Sequence, residues 1–139
     1  MQPLPSSENP HVIRTDFSDD ATWSAIQRAI QAPVGEEGFL ANVRFVVDRA
    51  YEGAGKDQFL PLLDIADPWH NFVVIADRTT MTTPDHALLV VDVSDEPGRE
   101  FRAIPTAIQS IENNLSLSNM DFHEFADSVD QDGVFRDFA

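Results

Sequence analysis

Residues 72–91 read FVVIADRTTMTTPDHALLVV. Phe72 to Ala76 and Ala87 to Val91 are unbroken apolar runs, rich in β-branched side chains. Runs without polar alternation fit strands covered on both faces, so these two are expected at the centre of a sheet. About ten residues, Asp77 to His86, join them. That is too short for a crossover helix, so the spacing predicts an antiparallel pair joined by a polar hairpin loop.

Working outward, His11 to Thr15 reads as a strand. Ser18, Asp19 and Asp20 then give a helix-start signal, a cap residue followed by acids. Trp23, Ile26 and Ile30 form one face of the helix, and Pro33 and Gly35 stop it. Val43 to Asp48 is a second strand. Phe59 to Ile65 predicts a short helix ended by Asp67-Pro68. Pro97-Gly98 marks a turn, and Phe101 to Ile104 a short edge strand. Ile104, Ile108, Ile111 and Leu115 make a helical stripe. Ser118 or Asn119 is expected to cap a last helix whose face is Phe122, Phe125, Ala126 and Val129. The tail Val134, Phe135 and Phe138 is too apolar to hang free and is expected to dock. The order β-α-β-α-β-β-β-α-α predicts an α/β (α+β) fold, one mixed sheet of about five strands with helices packed on it. Its first elements resemble a thioredoxin-like order, but the redox cysteines are missing.

The chain has 139 residues, 42% of them hydrophobic, which suits one domain. Residues 1–10 are polar, carry three prolines, and are expected to be a flexible leader to a single globular domain over 11–139. Asp and Glu number 24 against 9 Lys and Arg, for a net charge of -15. That balance argues against nucleic acid, which needs a basic face, and against anionic membranes. Cysteine is absent, which excludes disulfides, thiolate zinc sites and cysteine nucleophiles. No secretory signal or membrane-spanning run is read, so a soluble cytoplasmic protein is expected. The four histidines have no zinc spacing. Asp130-Gln131-Asp132-Gly133 resembles a calcium loop but lacks its closing glutamate. No cofactor is expected.

Three aspartates follow strands: Asp16, Asp48 and Asp77. If those strands are parallel, the carboxylates lie at the carboxyl edge of the sheet, where open α/β sheets bind ligands. Arg14, Arg49 and Arg78 sit within two residues of them, as anion clamps or as structural ion pairs. Asp after a strand also commonly caps the next turn. Glu112 and Asn113 place polar groups between the core positions Ile111 and Leu115, either for internal bonding or to face a ligand. The Trp69-His70 pair is a candidate pocket wall.

Three stretches, Val12 to Trp23, Ile75 to Met81 and Ile111 to Phe138, together resemble a family of small acidic microbial domains of unknown function. The resemblance covers roughly residues 12–138, and its most specific part holds Glu-Asn-Asn-Leu-Ser, Met-Asp-Phe-His-Glu-Phe-Ala and Asp-Gly-Val-Phe-Arg. It implies one domain and transfers no activity. Two functions are expected from the residues: a non-catalytic interaction module drawing a basic protein partner, or a small-ligand-binding protein or enzyme using the strand-end Asp and Arg residues. The oligomeric state is not legible in the sequence.

Overall fold

The structure is a computed structural model that describes residues 1–63 and 71–138. Among the described residues a single mixed sheet has six strands, which lie side by side in the order second, first, third, fourth, fifth, sixth along the chain. The strands are β1 (His11–Arg14), β2 (Arg44–Val46), β3 (Phe72–Ala76), β4 (Leu88–Asp92), β5 (Glu100–Ala103) and β6 (Val134–Phe135). β1 is parallel to both β2 and β3, while β4 runs antiparallel to β3 and β5. The two unbroken apolar runs are therefore adjacent, antiparallel and fully buried. Side chains alternate between the two faces, so Phe72, Val74 and Ala76 join one core and Val73 and Ile75 the other.

Among the described residues five α-helices accompany the sheet: α1 (Asp20–Gln31), α2 (Lys56–Phe59), α3 (Arg78–Thr82), α4 (Ile108–Ser116) and α5 (Phe122–Ala126). The chain steps from β1 outward to β2, then back across β1 to β3. Right-handed crossovers in opposite directions place their helices on opposite faces. Accordingly, Trp23, Ile26 and Ile30 of α1 share the larger core with Ile108, Ile111 and Leu115 of α4 and Phe122 and Phe125 of α5. Phe59 of α2, with Tyr51 and Leu63, covers the other face.

Several expectations are corrected. The sheet has a sixth strand, because the apolar tail pairs parallel to β5 as β6. The 77–86 connection is not a plain hairpin loop. It contains α3, which interrupts the thioredoxin-like order. Threonines are poor helix formers, but Asp77 and Thr80 form a reciprocal capping box that fixes this turn. The second strand spans only Arg44–Val46, and the last helix is capped by Asp121 instead of Ser118 or Asn119. The helix expected over Phe59 to Ile65 is α2 plus a 3₁₀ turn at Leu60–Leu62. Ile65, Asp67-Pro68 and Trp69-His70 lie outside the described residues.

The first ten residues, expected as a flexible leader, make specific contacts. Tyr51 Oη donates to Pro3 O at 2.7 Å, Gln2 Nε2 to Asp48 Oδ2 at 2.7 Å, and Arg44 N to Pro10 O at 2.8 Å. Among the described residues no helix is long and apolar enough to cross a membrane.

Candidate functional site

With β1, β2 and β3 parallel, Asp16, Asp48 and Asp77 all emerge at one edge of the sheet. Thr15 joins that edge together. Its N–H donates to Ala76 O at 2.9 Å, and its own carbonyl accepts Gly53 N–H at 2.8 Å. Gly53 has φ +76, open to glycine without strain, so the turn after β2 can fold back onto the end of β1. The result is a cleft of about 550 Å³ whose lining includes Thr15, Asp16, Glu52, Gly53, Asp77 and Arg78.

Asp16 and Asp77 share this cleft with Arg78, and Asp48 does not. Asp48 lines a separate cavity with Arg44 and Tyr51. Each of the three carboxylates fixes local backbone. Asp16 accepts both the hydroxyl and the N–H of Ser18. These two bonds hold its carboxyl below the ordinary range, against a small opposing effect of burial. Asp48 caps the 3₁₀ turn Arg49–Tyr51 through Ala50 N–H at 2.9 Å. Asp77 caps α3 through Thr80 N–H at 3.1 Å and receives both guanidinium nitrogens of Arg102, at 2.7 and 2.9 Å.

Half-burial pushes the Asp77 carboxyl up, but Arg102 and Thr80 more than offset it and hold it below the ordinary range. The folded state then binds fewer protons than the unfolded one below pH ~4. Its contribution to stability is full above that pH and is lost as pH falls through the lowered value. The stability difference between wild type and Asp77→Asn, followed by urea midpoints, should therefore shrink from pH ~5 to pH ~2. A difference constant across that range would contradict the pairing.

The arginines nearest in sequence are not the side-chain partners of these acids. Arg14, 3% exposed, donates from Nε to the backbone oxygen of Asp16 and pairs with Asp20 at 2.8 Å. Its guanidinium lies 4.4 Å from the centre of the Phe17 ring. Arg49 pairs with Glu52 at 3.5 Å. Arg78 is exposed at the cleft and holds no ion pair among the described residues. Sequence reasoning missed Arg102, which reaches Asp77 from β5, and Glu52 and Gly53, which enter the cleft from the turn after β2. No local signal links residues 77 and 102; only the antiparallel path β3-β4-β5 does. Glu112 and Asn113 lie elsewhere, at a small cavity beside the amino-terminal segment. The neighbouring Asn114 bonds within its own helix, to Ser110 O at 2.8 Å.

Residues 9–138, nearly the whole chain, match the family model described as Domain of unknown function (DUF6924). The chain belongs to this family. The match includes β1 to β6, every residue lining the cleft and all eight candidate site residues. A comparison with curated proteins gives no significant match. Among the described residues no group of three or more His, Cys, Asp or Glu is placed to hold a metal ion.

Proposed function

We propose that this domain is a non-catalytic interaction module whose acidic surface recruits a basic protein partner. The carrying observation is where the few cations lie. Of nine Lys and Arg, six pair with carboxylates among the described residues: Arg14, Arg49, Lys56, Arg99, Arg102 and Arg136. Arg136 by itself contacts Asp85, Asp130 and Asp132, which raise its pKa and keep it charged. Exposed acids such as Glu36, Glu37, Asp57 and Asp95 hold no ion pair among the described residues. A field of one sign speeds encounter with a basic protein and is screened by salt. We infer a cytoplasmic location, in keeping with a chain that has no cysteine to oxidise.

Affinity capture with the full chain tests this. Basic proteins are expected on the bait at ~0.02 M salt and released by ~0.5 M, where the Debye length falls to about 4 Å and the longer-range attraction is largely screened. Recovery of no partner from several lysates would count against the proposal.

A second function, small-ligand binding or catalysis at the sheet edge, is favoured by one observation: Asp16, Asp77 and Arg78 share the cleft. Both carboxylates are already engaged, Asp16 by Ser18 and Asp77 by the α3 cap and Arg102, which leaves Arg78 as the open charge. A saturable thermal shift with phosphorylated or carboxylated metabolites, lost in Arg78→Ala, would favour this second function.

A further inference from the structure

Between the amino-terminal segment, the loop before β2 and α4 lies a cavity of about 150 Å³, lined by Glu8, Asn9, Asn42, Glu112, Asn113 and Ser116 among others. Glu112 sits on the inner side of α4 between Ile111 and Leu115, only 4% exposed. Its Oε1 accepts the Asn42 N–H at 2.6 Å. It makes no other hydrogen bond or ion pair among the described residues. Oε2 makes no hydrogen bond among the described residues, and Glu112 lines the cavity. A carboxylate taken out of water needs its lone pairs satisfied, and packing would be served there by an apolar residue. The one charged group facing inward on this helix is therefore poised for something that enters from outside.

We propose that this cavity receives a lysine or arginine side chain of a basic protein partner, with Glu112 as the buried anion that meets it. The inference rests on the interaction-module function and gives it an anchor point. Charge is complementary: the rim adds the Glu8 carboxylate and the carboxamides of Asn9, Asn42 and Asn113, with no Lys or Arg among its lining residues. The volume is below the ~300 Å³ and more of small-molecule sites, and it suits one inserted side chain. A metal ion is disfavoured, since no group of three acidic or histidine ligands meets among the described residues. Removing one partner of a desolvated charge pair weakens an interface strongly, while exposed charges around it set the rate of encounter.

The test uses the full chain and two small probes, propylguanidinium and butylammonium, followed by amide chemical shifts against matched sodium chloride. Saturable shifts are expected at Asn42, Glu112 and Asn113. Glu112→Gln should weaken them about tenfold or more. Asn113→Lys, at an exposed position that does not threaten folding, should abolish them by supplying an internal cation. Shifts that follow sodium chloride, spread over the whole acidic surface or persist in both variants would overturn the proposal. Capture of basic proteins equally well by wild type and Glu112→Gln would overturn the anchor and leave the interaction module standing. Failure of capture altogether would overturn the module itself.

Discussion

Phe135→Ala should lower the unfolding free energy by about 3–5 kcal/mol, the cost of truncating a fully buried aromatic. Phe135 is 0% exposed although it lies four residues from the end of the chain. It sits in register with Ala103 across the β5–β6 pair. Its ring meets Phe125 edge-on at 5.3 Å and lies 6.3 Å from Phe101. A domain of this size is stable by roughly 5–15 kcal/mol, so the loss approaches the whole margin. Phe138, 46% exposed, touches the same cluster from outside, 5.0 Å from Phe135. Its replacement by Ala should cost only about 1 kcal/mol. Urea midpoints of the two variants check the contrast. Equal losses would mean that the tail is held by general stickiness and not by strand register.

Asp77→Ala should cost about 2–4 kcal/mol, from two effects at one carboxylate. The first is the N-cap of α3, worth about 1 kcal/mol. The second is the bidentate pair with Arg102, where truncation leaves a partly buried guanidinium whose charged hydrogen bonds are worth about 1.5–3 kcal/mol. Asp77→Asn keeps the cap and loses most of the charge interaction, so it should fall between wild type and Ala. Arg102→Met should cost about as much as Asp77→Asn, and the double substitution less than the sum, because both remove one interaction. Strict additivity in that cycle would contradict the pairing.

Much of the fold was legible in the residues. The unbroken apolar runs at 72–76 and 87–91 carried their own evidence, because runs so short, so apolar and so rich in β-branched residues fit strands covered on both faces. The helical face of Trp23, Ile26 and Ile30 was equally plain, and all three are buried. What was hidden depends on distant partners. β6 is two residues long, and nothing local distinguishes it from a tail; the β5 edge and the phenylalanine cluster make it a strand. α3 lies in a threonine-rich stretch whose propensity is low, and its capping box reads from sequence as an ordinary polar turn.

The candidate site was legible to the same degree. Aspartates at three strand ends do emerge at one edge of the sheet, since β1, β2 and β3 are parallel. Proximity in sequence misassigned their arginines. Asp48 and Arg49, like Asp77 and Arg78, are adjacent, and neighbouring side chains leave an extended backbone in opposite directions, while Arg14 reaches past Asp16 to Asp20. Arg102 found Asp77 through the sheet. Glu112 was visible as a polar residue between core positions, but its single hydrogen bond to Asn42 needed the folded chain.

The central claim is that the acidic surface, and not the strand-end carboxylates, carries the function. Its most direct test is the association rate of a captured basic partner with two variants. One converts Glu36, Glu37, Asp57 and Asp95 to their amides; the other is Asp16→Asn. The fourfold variant should associate about tenfold more slowly at low salt and show a shallower salt dependence, while Asp16→Asn matches wild type. A rate unchanged in the fourfold variant, with binding lost in Asp16→Asn, would contradict the account and move the function to the cleft.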